Sequence, residues 1–243
     1  MPENSVLSLP NSFTAAKAKG DHTRFKNAVR IQESFTARLE RRALVWMAER
    51  MPTWINSDHL TLLGTLGMVL AGGSYLYARW NRIGLLLVIL FLALNWFGDS
   101  LDGTLARVRN RQRPRYGFYV DHIVDAFGAL SLMLGLAFSG YIHAWVAVGM
   151  LISFLLLSIE VHLATYTLGK FQMSYWKFGP TEIRILLAIG NVRLFVDPFA
   201  HIAGQRYLLF DIGGCIAIAG MSLMAIVSTF RHTRQLYCEE RLS

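Results

Sequence analysis

Six apolar runs dominate this sequence and constrain its fold more than any other feature. A helix needs about 20 mostly apolar residues to cross a membrane, and in lipid it must satisfy its own backbone hydrogen bonds. With 53% hydrophobic and only 16% charged residues, the 243-residue chain is too apolar for an ordinary soluble domain. The sequence therefore predicts an all-α integral membrane protein with six transmembrane helices. The first run covers approximately residues 59–77, and the second begins near 83 and continues past 96. The other four cover approximately residues 117–139, 143–166, 181–196 (the shortest) and 207–230.

The residues outside these runs are more polar. Residues 1–33 show no periodicity and are predicted to form a poorly ordered cytoplasmic N-terminus. Residues 34–58 are predicted to form an amphipathic juxtamembrane helix, ended by Pro52, and a short lead-in. This helix either lies in the membrane interface or docks on the protein's own cytoplasmic face. Residues 59–230 then form the six-helix transmembrane domain, and residues 231–243 a cytoplasmic tail. The helix's apolar positions are Phe35, Leu39, Ala43, Trp46, Met47 and Met51.

The distribution of basic residues predicts the orientation in the membrane. With six spans, both termini lie on one side. Of the 24 Lys and Arg residues, 19 fall on that side, 4 fall on the opposite side and Arg184 lies within a span. Because basic loops face the cytoplasm, both termini are expected to be cytoplasmic, and the expected location is a bacterial cytoplasmic membrane. The arginines of residues 109–115 fit this anchoring role best, and no nucleic-acid-binding motif accompanies them.

Four carboxylates occur inside or at the edge of the second and third runs. Asp99 and Asp102 are i, i+3 neighbours on a helix, and Asp121 and Asp125 are i, i+4 neighbours, so each pair projects from one helix face. Four carboxylates close together at low dielectric either become protonated or bind cations with oxygen ligands. Counted from the outer helix ends at about 1.5 Å per residue, all four lie roughly 21 to 29 Å deep, near the cytoplasmic edge. This pattern predicts a two-metal site that a water-soluble molecule can reach from the cytoplasm.

The spacing of this segment also carries a family resemblance. The pattern D-x2-D-G-x2-A-R-x9-G-x3-D-x3-D is met in full and resembles the signature of the CDP-alcohol phosphotransferases. Membership implies transfer of a phosphatidyl or phosphoalcohol group from a CDP-linked donor to an acceptor hydroxyl, with release of CMP. The residues that fit the pattern are Asp99, Asp102, Gly103, Ala106, Arg107, Gly117, Asp121 and Asp125.

The resemblance also implies roles for these residues. The four aspartates would bind two Mg²⁺ or Mn²⁺ ions per active site, and Asp125 would act as the base toward the acceptor hydroxyl. The family further implies a homodimer and contact with membrane lipids. His122 lies about 100 degrees around the helix from Asp121 and is predicted to be a packed residue rather than a ligand. Donor binding would fall to Asp102, Gly103, Ala106, Arg107 and Gly117, joined by Thr61, which fits a looser family pattern at the start of the first span.

Three further charged residues lie at or near the depth of the aspartates. Glu160, Glu182 and Arg184 either line an acceptor pocket or form a mutual salt bridge. The preferred substrates are CDP-diacylglycerol and a small polar acceptor such as glycerol phosphate, inositol or inositol phosphate. CDP-choline or CDP-ethanolamine with diacylglycerol is the second choice. An ion-coupled transporter is the alternative from another class, although carboxylates at several depths would be expected for an ion pathway.

Overall fold

The computed structural model describes residues 29–31, 37–168, 170–172, 180–202 and 204–240. The predicted poor order of the N-terminus concerns residues that lie outside these ranges, apart from a short strand at 29–31. The other described residues are mostly helical, as predicted. The helices are α1 (Ala37–Arg50), α2 (Ser57–Ala78), α3 (Ile83–Val108), α4 (Pro114–Ala137), α5 (Ala144–Leu168), α6 (Pro180–Val196) and α7 (Leu209–Glu239).

Five of the described helices are long and apolar enough to cross a membrane, namely α2, α3, α4, α5 and α7. The fifth predicted span, α6, is a helix of 17 residues that includes Glu182, Arg184 and Arg193. At 1.5 Å per residue α6 is about 26 Å long, slightly short of a hydrocarbon core of about 30 Å. These helices indicate a multi-pass membrane protein with five clear spans.

Helix α2 lies at the centre of the packing, against α3 on one side and α4 on the other. In turn α6 packs on α3, α5 on α4 and α7 on α5. The core includes Tyr75, Leu85 and Leu132, each at most 3% exposed. Nearby, Asn191 of α6 donates from Nδ2 to the hydroxyl oxygen of Tyr75 at 2.7 Å, which joins α6 to α2 inside the apolar region.

Small residues let these helices meet backbone to backbone. A Cβ atom added at Gly72 of α2 would collide with the backbone of Ser131 on α4, and one at Gly135 would collide with the backbone of Gly72. A Cβ at Gly84 of α3 would lie 2.6 Å from the backbone nitrogen of Ala78. Close backbone approach is a common basis of helix association in membranes, where the hydrophobic effect does not drive helices together.

Helix α1 is present as predicted and docks on α3. Its Leu44 and Ala48 are buried with Leu60, Leu101 and Leu105. The predicted apolar face is shifted, because Ala43 and Trp46 are exposed while Leu44 and Ala48 are buried. The docked arrangement is one of the two predicted alternatives, and the placement of α1 in a membrane interface stays a prediction.

Two features at the ends of the helices differ from the sequence prediction. Residues 231–239, predicted to belong to a tail, continue α7, which is 31 residues or about 46 Å long and so extends beyond a hydrocarbon core. An antiparallel hairpin of two strands, Phe199–Ile202 and Gln205–Leu208, joins α6 to α7 and was not predicted. A second pair of strands is parallel and links Val29–Ile31 to Lys170–Gln172 before α6.

Candidate functional site

The four predicted carboxylates come from the C-terminal half of α3 and the N-terminal half of α4. Helix α3 ends at Val108 and α4 begins at Pro114, so only a short turn separates them. Pro114 is tolerated in the first turn of α4 because the N–H that it lacks would have no partner within the helix. Asp125 is near enough to the other three carboxylates to interact with them electrostatically, and also with Arg184. We refer to Asp99, Asp102, Asp121 and Asp125 as the aspartate cluster.

Asp99 is paired with an arginine from α6. Arg184 donates from Nη2 to Asp99 Oδ2 at 2.6 Å and from Nε to Asn95 Oδ1 at 2.8 Å. Asn95 is buried and in turn donates to the carbonyl oxygen of Gly64 at 3.0 Å. This chain of contacts fixes the guanidinium between α3 and α6, with 16% of the Arg184 side chain exposed.

Asp102 is held by the start of α2. The Thr61 hydroxyl donates to Asp102 Oδ2 at 2.6 Å, and the Ser57 hydroxyl donates to the Asp102 carbonyl oxygen at 2.9 Å. The backbone N–H of Gly103 donates to Asp102 Oδ1. Thr61, predicted to contact the donor, therefore positions an aspartate in this structure.

The two aspartates of α4 are more accessible. The Asp121 side chain is 42% exposed and lies 4.0 Å from Nδ1 of His122, and Asp125 is exposed on the same helix. The His122 ring packs edge-on against His162 with 4.1 Å between ring centroids, and Nδ1 lies 2.5 Å from the carbonyl oxygen of Phe118. These contacts agree with the prediction of a packed histidine.

A cavity of about 410 Å³ lies on the side predicted above to be cytoplasmic, and one of its lining residues, Ser57, contacts the backbone of Asp102. It lies between the start of α2 and the end of α3, and its size falls in the range of small-molecule pockets. Ala106 lines it, whereas Arg107 donates to the Thr104 hydroxyl at 2.9 Å on α3. Asp58 and Arg113 form an ion pair in the cavity wall, and this hydrogen bond raises the pKa of Arg113. The complete lining is Asn56, Ser57, Asp58, Leu105, Ala106, Arg109, Arg111, Gln112 and Arg113.

Within the described part of the chain, the two motif glycines make no close contact with another helix. A Cβ at Gly117 would meet no atom of another described helix within 4 Å, and one at Gly103 would come only to 3.5 Å of Arg107 Nη1. Both positions therefore leave the backbone accessible to another molecule beside the aspartate cluster.

Comparison with known proteins decides the family. Residues 54–228 match the profile of the CDP-alcohol phosphatidyltransferases, which covers most of the chain and all of the aspartate cluster. This chain belongs to the CDP-alcohol phosphatidyltransferase family. The match confirms the resemblance seen in the sequence, and it gives no support to the transporter alternative.

Two curated relatives share part of the sequence. The chain is 33% identical over 89 residues to archaetidylinositol phosphate synthase from Pyrococcus horikoshii, over 37% of this chain and 44% of that protein. It is 32% identical over 93 residues to ceramide phosphoethanolamine synthase from Drosophila melanogaster, over 36% of this chain and 22% of that protein. The matched segments thus span less than half of the length of each relative.

The aspartate cluster suits divalent metals by its chemistry, because the four side chains offer only hard carboxylate oxygens. In the described part of the chain, no three Asp, Glu, His or Cys side chains converge tightly enough to hold an ion. Asp99 is directed at Arg184 and Asp102 at Thr61, so these two carboxylates are engaged by protein donors. The donor chemistry therefore fits divalent metals, and Asp99 and Asp102 would have to leave these protein donors to bind one.

The three predicted acceptor residues do not form one group. Arg184 lies in the site beside Asp99, whereas Glu160 pairs with His232 of α7, with 2.6 Å between Oε1 and Nδ1. Glu182 is half-buried in the first turn of α6. Arg184 and Glu160 therefore do not form the salt bridge that was the predicted alternative. They lie on different sides of the structure, because α6 packs on α3 whereas Glu160 of α5 faces α7.

Sequence reasoning missed three residues that shape the site. Asn95 accepts a hydrogen bond from Arg184, and Ser57 donates one to the backbone of Asp102. Glu40 of α1 contacts both α3 and α6. Asn95 had a usable signal, because a polar side chain inside an apolar run needs a partner. Glu40 had no such signal, since it stands among arginines in a charged segment.

Proposed function

We propose that this protein transfers a phosphatidyl group from CDP-diacylglycerol to the hydroxyl of a small polar acceptor and releases CMP. The observation that carries the proposal is the juxtaposition of the four motif aspartates on α3 and α4 within a match to the CDP-alcohol phosphatidyltransferase family. Two neighbouring pairs of carboxylates, with a cavity nearby, would supply what transfer from a nucleotide diphosphate needs, namely charge neutralisation and space for a nucleotide.

The donor would occupy the side of α3 that carries Ala106 and Arg107. The cavity beside Ala106 can take a nucleotide, and the Arg107 guanidinium offers a planar fork to phosphate oxygens. Gly103 and Gly117 would let a diphosphate approach the backbone. Thr61 would act indirectly by holding Asp102 in place.

The acceptor hydroxyl would be deprotonated by Asp125, which is exposed and near the other carboxylates. Mg²⁺ or Mn²⁺ ions, two per site and held by the aspartate cluster, would neutralise charge on the leaving CMP and orient the phosphorus. A carboxylate that also binds a metal is a weak base, so Asp125 would act as much by orienting the hydroxyl as by taking its proton.

The acceptor we propose carries a phosphate. Arg184 is a cation in contact with Asp99 of the cluster, and a guanidinium suits a phosphate better than a neutral alcohol. The Pyrococcus relative is named for a product with an inositol phosphate, which fits this choice. The Drosophila relative is named for a phosphoethanolamine product and favours the second candidate, transfer of phosphoethanolamine or phosphocholine to a lipid hydroxyl.

The membrane arrangement follows from the same proposal. We propose that α6 is a sixth, short span held in place by α3 and by the Tyr75 contact, so that both termini lie in the cytoplasm. The excess of 19 basic residues over 4 counted from the sequence supports this orientation. The homodimer implied by the family resemblance stays a prediction.

The test is a transfer assay with the purified protein. Labelled CDP-diacylglycerol and Mg²⁺ are incubated with glycerol phosphate, inositol phosphate, inositol or glycerol, and labelled lipid product and CMP are measured. We expect product with a phosphorylated acceptor and much less with the matched dephosphorylated alcohol. Product only from CDP-ethanolamine or CDP-choline with diacylglycerol would support the second candidate, and no product from any donor would contradict the proposed function.

A further inference from the structure

A glutamate of α1, the juxtamembrane helix, accepts hydrogen bonds from two helices of the site. Glu40 Oε1 accepts hydrogen bonds from Trp96 Nε1 at 2.8 Å and from the Thr181 hydroxyl at 2.9 Å. The Ser100 hydroxyl lies at 3.5 Å from the same oxygen. Trp96 and Ser100 belong to α3, and Thr181 belongs to the first turn of α6. One side chain of α1 therefore joins α3 to α6.

These donors flank the ion pair of the site. Trp96 stands three residues before Asp99, and Thr181 stands three residues before Arg184, so each donor lies near its ion-pair residue on the helix surface. The contact at Glu40 and the contact between Arg184 and Asp99 are thus two links across the same α3 and α6 interface. A shift of the start of α6 would change both contacts together.

From this geometry we infer that Glu40 is a positioning residue, which holds the start of α6 against α3 so that Arg184 stays beside Asp99. The inference rests on the proposed function, since it assigns Glu40 to the acceptor side of that site. Glu40 does not touch the aspartate cluster and acts through Thr181 and Trp96. Its expected role is to set the position of Arg184 rather than to bind the donor.

The docking of α1 does not depend on Glu40 alone. Leu44 and Ala48 bury α1 against Leu101 and Leu105 of α3, one to two turns further along the helix. The strand Val29–Ile31 also pairs with Lys170–Gln172, ahead of α6. Removing the Glu40 carboxylate should therefore leave α1 docked while loosening the start of α6. This separates a positioning effect from a general loss of structure.

The test compares variants of Glu40 in the full-length protein. Glu40→Gln keeps an oxygen that can accept the hydrogen bonds, and Glu40→Ala removes it. Glu49→Ala is the matched control, because Glu49 is an exposed glutamate on the same helix. For each variant the KM for acceptor, the KM for donor, kcat and the melting temperature in detergent are measured.

We expect Glu40→Ala to raise the acceptor KM by about tenfold, the size of losing one hydrogen bond to a charged group, with donor KM and melting temperature unchanged. Glu40→Gln and Glu49→Ala should stay close to the unmutated protein. Thr181→Val and Trp96→Phe, which each remove one donor, should raise the acceptor KM in the same direction. The variant with both Glu40→Ala and Arg184→Ala should match Arg184→Ala alone, because Glu40 acts through that arginine.

Three results would overturn the inference: a normal acceptor KM in Glu40→Ala, equal rises in both KM values with a lower melting temperature, or effects that multiply in the double variant. Hydrogen exchange of residues 180–187 provides a readout that needs no activity. Exchange there should be faster in Glu40→Ala than in Glu40→Gln, and equal rates would also contradict the inference. If the unmutated protein shows no transfer, the proposed function fails while this exchange comparison still tests Glu40.

Discussion

Glycines occur at both ends of the bundle of α2, α3 and α4, but their surroundings differ. In the half around Tyr75, which we call the packed half, a Cβ at Gly72 or Gly135 would collide with the backbone of a neighbouring helix. At the end that carries the aspartates, a Cβ at Gly117 would meet no atom of another described helix within 4 Å. The packed half needs glycine for helix association, whereas the described residues give no such reason for glycine at 117. We propose that access of another molecule to the backbone is the reason for a glycine there.

The polar pairs of α6 show the same division. In the packed half, Asn191 and Tyr75 are fully buried and join two helices. At the aspartate end, Arg184 and Asp99 of the cluster keep 16% and 26% of their side chains exposed. A buried neutral pair fixes helix positions, and an accessible charged pair can exchange its partner for a ligand. Changes in the packed half should therefore affect stability, and changes at the aspartate end should affect activity.

The largest effect is expected from the aspartates themselves. Asp102→Asn or Asp121→Asn should lower turnover by roughly a thousandfold, because each removes a charged oxygen that would bind metal. The melting temperature should change little, since neither carboxylate is part of the packed half. Asp197→Asn, on the loop before the hairpin, is the matched control and should keep full turnover. A fully active Asp102→Asn variant would show that the cluster is not the reacting site.

The next largest effect concerns two adjacent glycines of α2. Gly72→Ala should destabilise the protein by about 1–3 kcal/mol, because its Cβ would collide with the backbone of Ser131. Gly73→Ala should not, since a Cβ there would meet no atom of another helix among the described residues within 4 Å. Melting temperatures of the two variants in detergent make this comparison. Equal stability of the two variants would mean that the packed half is looser than described.

A smaller effect is expected at Arg184. Arg184→Ala should raise the acceptor KM by about tenfold to a hundredfold and leave the donor KM nearly unchanged, because it removes a charge-assisted contact of roughly 1.5 to 3 kcal/mol. Arg184→Lys keeps the charge but loses the guanidinium that reaches both Asp99 and Asn95. Its acceptor KM should lie between those of the unmutated protein and Arg184→Ala. If Arg184 served only as an ion-pair partner of Asp99, stability would fall and the two KM values would change alike.

The smallest effect should separate the two kinds of glycine directly. Gly117→Ala adds one methyl group at the accessible position and should raise the donor KM by a few-fold to about tenfold. Its stability should be unchanged or slightly higher, because alanine favours a helix by up to about 1 kcal/mol over glycine. Gly73→Ala again serves as the control, with normal stability and a normal donor KM. A normal donor KM in Gly117→Ala would remove the argument that a ligand explains this glycine.

Much of the fold follows from the sequence because apolar length is a strong signal in membrane proteins. The six predicted runs correspond to α2 to α7, and α3 and α4 carry the aspartates as expected. The prediction agrees less well with the structure at the ends of the last two helices. The continuation of α7 through 231–239 was not predicted, because its polar residues there resemble a tail although they extend a helix beyond the lipid. The hairpin at 199–208 lacks the alternating pattern that identifies strands.

The placement of the four aspartates on two helices was predictable, but their contacts were not. The spacing of Asp99, Asp102, Asp121 and Asp125 specified both helix faces, since i, i+3 and i, i+4 positions share a face. The partner of Arg184 was not predictable, because nothing local shows that α6 packs against α3. Glu40 was hidden for the same reason, as its donors lie 56 and 141 residues away along the chain.

The central claim is that the aspartate end of α3 and α4 binds divalent metals. The most direct measurement is Mn²⁺ binding to the purified protein, followed by electron paramagnetic resonance, with Mg²⁺ as competitor. We predict two Mn²⁺ ions per chain, displaced by Mg²⁺, and loss of binding when Asp102→Asn and Asp121→Asn are combined. Equal Mn²⁺ binding by the unmutated protein and the double variant would contradict the account.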